Sequence, residues 1–248
     1  MSDVSRCLIL GATGGIGHEV ARLLAGSGSR LLLAGRHTDK LTQLSQELGQ
    51  PACPVDAADP TSIDRAFAEA ESKLGGLDAV VNCIGSVLLK PAHSTSWEEF
   101  QQVLTTNLGS AFAVVRNAGR MLRAQGGSVV LVSTAATRVG LANHEAIAAA
   151  KGGIEGLVRA AAATYASAGI RINAIAPGLV KTPMTQRLWE DPQIAQASVQ
   201  MHALGRLGEP GDIARAIAFL VDPANSWITG QVLGVDGGLG SIVPRRRA

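Results

Sequence analysis

Short, almost wholly apolar runs alternate with longer amphipathic stretches along the chain. The apolar runs are 7–10, 30–35 with Leu31-Leu32-Leu33 at its centre, 52–55, 79–82, 128–132 and 171–177. Runs of this length and uniformity predict strands buried on both faces. Between them the apolar positions recur at helical spacing. One such stretch follows Gly17 through Val20, Leu23 and Leu24, and another covers 39–48. A third covers 60–74, with Pro60 in its first turn. The stretch 97–124 reads as two helices meeting at Asn107, with Gly126 and Gly127 as the stop. A further helix starts near Asn143 and runs through Ala166, and 213–220 closes the series. Strand and helix in alternation predict a parallel sheet with helices on both faces, an α/β doubly wound fold of Rossmann type in a single domain, 1–248. Ligands bind at the carboxyl ends of such strands. Leu10, Gly35, Asp56, Asn82 and Ser133 all fall there, so one cleft can collect them.

Composition narrows the class. The length of 248 residues suits one domain, and 46% hydrophobic residues supply an ample core. A net charge of +2 is too small to argue for nucleic acid or a membrane surface. The basic run Arg245-Arg246-Arg247 reads as a solvated tail. Three cysteines, Cys7, Cys53 and Cys83, are odd in number and lack C-x-x-C spacing, so they read as small buried residues. Five scattered histidines give no metal-ligand spacing, and no metal is expected. The N-terminus carries no signal-peptide pattern and no apolar run is long enough to span a bilayer, so the expectation is a reduced, cytoplasmic protein.

Two motifs carry chemistry. Gly11-Ala12-Thr13-Gly14-Gly15-Ile16-Gly17 lies between the first strand and the first helix. That arrangement points backbone N–H groups and a positive helix end at a pyrophosphate. At the end of the second strand an acidic residue would bind ribose hydroxyls; this chain has Ala34-Gly35-Arg36. The planar fork of Arg36 suits a 2′-phosphate, so the expected cofactor is NADP(H).

These motifs, together with Asn82-Cys83-Ile84-Gly85, Asn107-Leu108-Gly109, Pro177-Gly178 and 205–212, resemble the short-chain dehydrogenase/reductase superfamily, near its 3-oxoacyl-acyl-carrier-protein reductases. The resemblance covers about residues 5–240. It implies that Asp56 and Ala57 flank the adenine, and that Asn82 and Gly85 hold the central sheet beside the cofactor. It implies that the backbone carbonyl of Asn107 holds a water near a catalytic Lys. Pro177, Gly178, Val180 and Thr182 are implied to bind the nicotinamide amide and line the phosphates. The segment at about 183–205 corresponds to a mobile substrate lid; its Met184, Leu188, Trp189, Ile194, Val199 and Met201 would equally suit a packed helix pair. A homodimer or homotetramer is the implied assembly.

The catalytic centre departs from the family. The superfamily typically carries a Ser, then Tyr-x-x-x-Lys. Here the Lys is Lys151, the Tyr position is Ile147, and the Ser position is Thr134, with Ser133 beside it. Lys151 keeps the ribose role; Ile147 can do no acid–base work. His144 stands seven residues before Lys151 and Ser133 eleven before His144. That spacing is similar to the enoyl-acyl-carrier-protein reductase branch, whose active Tyr lies seven residues before its Lys. His144 is therefore either a substitute proton donor or an ordinary residue at a helix start. Two readings follow. One is a reductase with an altered acid, acting on a small-molecule or acyl-thioester carbonyl or activated alkene. The other is a cofactor-binding protein without turnover that serves as a partner or regulatory subunit.

Overall fold

Residues 6–243 are described by the computed structural model. The Arg245–Arg247 run lies outside them. Seven parallel strands form one sheet in the order β3-β2-β1-β4-β5-β6-β7. They are β1 (Arg6–Leu10), β2 (Arg30–Gly35), β3 (Ala52–Pro54), β4 (Ala79–Asn82), β5 (Gly127–Val132), β6 (Ile170–Pro177) and β7 (Val232–Val235). The order reverses between β1 and β4. Both crossovers leave that point in opposite directions, which opens a crevice at the carboxyl edge.

Helices cover both faces. On one side lie α3 (Pro60–Leu74), α5 (Ser110–Met121) and α6 (Glu145–Tyr165), packed over Leu8, Leu32, Val80, Val129 and Ile172. On the other lie α1 (Gly15–Gly26), α2 (Thr38–Leu48) and α9 (Pro210–Val221), over Cys7, Ile9, Leu31, Val81 and Val130. Alternate residues of β1 thus feed opposite cores, which is why the strand is apolar at every position. The thiol of Cys7 is fully buried in this central strand, and burial pushes its pKa far up.

The helix ends follow local chemistry. Asp59 caps α3 by accepting from the Thr61 N–H at 2.9 Å, Pro60 opens it, and Gly75 at φ 75° stops it. Ser96 and Glu99 form a capping box at the start of α4 (Trp97–Leu104). The predicted break at Asn107 is present as a π turn, Thr105–Gly109, between α4 and α5. The stop at Gly126 comes later than the helix itself. α5 ends at Met121, and the carbonyl of Leu122 accepts from both Gln125 and Gly126, so the glycines shape the turn into β5. The helix expected from Asn143 begins at Glu145. Asn143 sits at φ 64°, which is incompatible with a right-handed helix. Among the described residues, no helix is long and apolar enough to cross a membrane.

Candidate active site

The glycine turn after β1 is fixed by contact. Gly11 has φ 76°, and a Cβ there would stand 2.7 Å from the carbonyl carbon of Cys83. A Cβ on Gly17 would come within 2.2 Å of the Gly11 oxygen, and one on Gly15 within 2.8 Å of Thr182 Cγ2. The first turn of α1 has Gly14 as its cap, with no side-chain cap and no acidic residue. Its N–H groups and positive end therefore face the crevice. Thr13 lies against Gly35, and Arg36 follows, exposed. Asp56 is exposed at the end of β3 and turns one carboxylate oxygen back to the Ala58 N–H at 3.0 Å, beside Ala57. A narrow glycine cradle, an uncapped helix start and a cation at the rim fit a dinucleotide phosphate chain.

The inner end of the crevice is polar and buried. Asn82 accepts from the Ile84 N–H at 3.1 Å and so shapes the turn after β4. Asn107 is fully buried. Its carboxamide donates to Ser86 Oγ at 3.0 Å and to the Val103 carbonyl at 2.9 Å, and accepts from the Ser86 N–H at 3.2 Å. Its own carbonyl accepts from Ser110 Oγ at 3.2 Å. Lys151 is 6% exposed and donates from Nζ to the Val132 carbonyl at 2.7 Å. A Cβ on Gly85 would stand 3.1 Å from Asn107 Oδ1 and 3.5 Å from Lys151 Nζ, so Gly85 alone leaves room between them. Burial lowers the Lys151 pKa from 10.5 to about 8, and the Cys83 thiol opposes that slightly. The same burial pushes Cys83 up to about 12.

The candidate proton donors are less available. Ser133 donates to Glu155 Oε1 at 2.9 Å, and Thr137 donates to the same oxygen at 2.5 Å. The Ser133 hydroxyl is thus turned toward α6, one turn beyond Lys151. Thr134 caps the short 3-10 helix Ala135–Thr137 by accepting from the Ala136 N–H at 3.3 Å. His144 precedes α6 directly, partly exposed, with Nδ1 2.7 Å from the Ala142 carbonyl. Nδ1 must carry a hydrogen to make that bond, so Nε2 can give up a proton only from the imidazolium. Ile147 is 4% exposed and packs with Val103, Ala146 and Ala150, flanked by Leu88, Phe100 and Leu104. The single tyrosine of the chain, Tyr165, ends α6 and lies against Gly119. It sits about 21 Å along the helix from Lys151.

Beyond β6, Pro177 and Gly178 lead into a loop pinned to Gly208, where the Lys181 N–H donates to the Gly208 carbonyl at 2.9 Å. Val180 and Thr182 are buried in it, at 4% and 7% exposed. The following segment holds α7 (Gln186–Trp189) and α8 (Pro192–Met201). α8 buries only Ser198, while Met184, Ile194 and Met201 are more than two-fifths exposed, so the segment is not packed as a core helix pair.

Sequence reasoning missed Glu155 as the partner of Ser133, and missed Asn143, whose carbonyl accepts from the Lys90 N–H at 2.8 Å. It also missed His202, whose Nε2 accepts the Leu179 N–H at 3.1 Å. The one local signal was Asn143 itself, since Asn tolerates the left-handed region better than most residues.

The family profile described as enoyl-(acyl carrier protein) reductase matches residues 11–240. Galactitol 2-dehydrogenase (L-tagatose-forming) of Cereibacter sphaeroides is 37% identical over 243 residues, covering 95% of each chain. Cis-4-hydroxycyclohexanecarboxylate dehydrogenase of Sinomonas cyclohexanicum is 35% identical over 241 residues, 95% of this chain and 96% of that protein. The structure of a short-chain type dehydrogenase/reductase from Mycobacterium ulcerans superposes with a TM-score of 0.93 at 29% identity, over 97% of this chain and 91% of that one.

Proposed function

The chain belongs to the short-chain dehydrogenase/reductase superfamily, whose members are oxidoreductases using a nicotinamide cofactor, and from that premise we propose an NADP(H)-dependent reductase of a carbonyl or activated alkene with an altered proton donor. The observation that carries the proposal is the buried Lys151 ammonium, held by Val132 beside Gly85 and Asn107 at the inner end of an intact glycine cradle. The cradle suits a dinucleotide, and the ammonium, bonded to the Val132 carbonyl, stands at its inner end. Arg36, exposed and without a carboxylate partner among the described residues, supports the phosphorylated cofactor.

When bound, the nicotinamide supplies hydride to the acceptor carbon. The glycine turn and the start of α1 would hold the phosphates, Val180 and Thr182 would fix the ring, and Lys151 would bind the ribose. The proton then comes from the start of α6. Ser133 is engaged by Glu155, and Ile147 has none to give. His144 as imidazolium is the group left to deliver it, directly or through water. Two observations support an assembly of two or four copies: Trp97 on α4 and Phe112 on α5 are 66% and 58% exposed, and Phe219 on α9 and Trp227 are 48% and 98% exposed. Three unpaired cysteines support a reducing, cytoplasmic setting.

The test is NADPH oxidation with a paired panel of 3-oxoacyl and 2-enoyl thioesters, and with cyclic and polyol-derived ketones. Wild type and His144→Phe are run side by side. Turnover is expected in wild type, with a loss of about 10²-fold or more in the variant. Equal turnover in both discards His144. A second reading, a cofactor-binding subunit without turnover, is favoured by the apolar burial of Ile147. Tight NADPH binding with no turnover on any panel member would establish it.

A further inference from the structure

The segment between Pro183 and His202, the proposed substrate cover, is fastened at both ends to one four-residue stretch, Leu179–Thr182. At its near end, Trp189 Nε1 donates to the Thr182 carbonyl at 3.1 Å and Thr185 Oγ1 donates to the Val180 carbonyl at 2.5 Å. At its far end stands His202, one residue past α8. Its Nδ1 lies 2.6 Å from the Ser198 carbonyl, and its Nε2 accepts the Leu179 N–H at 3.1 Å. The Ser198 bond puts the hydrogen on Nδ1, which leaves Nε2 a lone pair to accept with. The ring is 3% exposed. It fills the space over Gly178, where a Cβ would come within 2.5 Å of Nε2. Between the two fastenings α8 is largely exposed, with Ser198 alone buried.

We infer that His202 is a positioning residue, which through the Leu179 peptide makes the placement of the substrate cover and that of the nicotinamide-binding loop a single event. A shift of the α8 end moves the Ser198 carbonyl, turns the ring, and leaves the Leu179 N–H without its acceptor. The coupling is reciprocal: whatever orders the loop orders the cover, by the same factor. The inference rests on the proposed function in assigning cofactor contacts to Val180 and Thr182 and a substrate-covering role to the segment 183–202. The two fastenings stand without it.

The test combines hydrogen exchange with binding. In cofactor-free His202→Ala, exchange should rise together in peptides covering 179–185 and 192–201. NADPH Kd and substrate KM should both rise by about tenfold, the scale of one hydrogen bond, with a smaller fall in kcat. His202→Gln, whose carboxamide oxygen can accept from Leu179, should restore most of the loss. Unchanged exchange at Leu179 in the Ala variant, or a Gln variant no better than Ala, overturns the inference. Should the Ala variant fail to fold, Trp189→Phe removes one of the two near-end bonds and leaves the Thr185–Val180 bond and His202 in place. It must loosen both the loop and α8, and loosening confined to one of them also overturns the inference. If wild type fails to bind NADPH, the proposed function falls, while the exchange pattern still decides the coupling.

Discussion

The turn Gly11–Gly17 and the start of α6 meet at the same edge of the sheet, yet they are built on different terms. The turn is made of backbone. Its glycines stand where a single added carbon would strike the Cys83 backbone, the Gly11 oxygen or Thr182. A ligand there would meet N–H groups and a helix end, which no side chain supplies, provided no carbon is added at the glycines that aim them. The stretch from the end of β5 to the start of α6 is made of side chains, and each has another engagement: Ser133 with Glu155, Thr134 with Ala136, His144 with Ala142, Ile147 with Val103 and Ala150. Binding written in backbone resists sequence change. Proton transfer written in a few side chains does not.

That contrast can be broken most sharply at Gly17. Gly17→Ala places a carbon against backbone that cannot yield, so it should cost about 3 kcal/mol or more of stability and abolish cofactor binding. Thermal unfolding and NADPH titration would read both, and a variant that binds normally would show the turn to be looser than its contacts imply. Next in size, Ile147→Tyr returns a phenol one turn before Lys151. Ketone reduction should rise by about 10²-fold, the scale of one general acid, alongside a loss of about 1–3 kcal/mol for overpacking against Val103 and Leu104. No gain in rate would mean that more than one proton donor separates this centre from a working one. Arg36→Ala should weaken NADPH by about tenfold, the loss of a charge-assisted contact, while leaving NADH unchanged. Equal loss for both cofactors would remove the case for the 2′-phosphate.

The remaining prediction is a pH dependence with opposite signs in binding and in stability. The folded Lys151 pKa lies near 8, below the unfolded 10.5. Between those values the unfolded state binds more protons, so stability gains from this group as pH rises from about 8 to 10.5. The ammonium that would hold the ribose fades over the same range. NADPH affinity should therefore fall above pH 8 while unfolding becomes harder, and Lys151→Met should flatten both trends.

Much of the fold was legible because burial imposes it locally. β2 had to read Leu31-Leu32-Leu33 since α3 and α2 cover its two faces. Asp59, Pro60 and Gly75 bracket α3 so fully that its limits, Pro60–Leu74, match the sequence expectation. The glycine turn was legible from its place between strand and helix, although only Gly17 answers to a neighbour in the turn; Gly11 answers to Cys83 and Gly15 to Thr182. What escaped was set by partners distant in the chain. Glu155 meets Ser133 across 22 residues, and His202 meets Leu179 across 23. Neither spacing has a period that a chain can display. The role of the Asn107 carbonyl was readable only as a family expectation; here it accepts a bond from Ser110.

The burial of Cys7 gives the protein a built-in clock. Its thiol lies in the strand that both halves of the sheet share, with no exposure and a strongly raised pKa. An alkylating reagent can reach it only when β1 leaves the sheet, so the rate of its labelling measures the opening of the whole domain. Cys83, also unpaired but in the wall of the crevice, keeps a different time. Its labelling should slow when a dinucleotide settles over it. Two thiols in one chain thus separate the lifetime of the fold from the occupancy of its cleft.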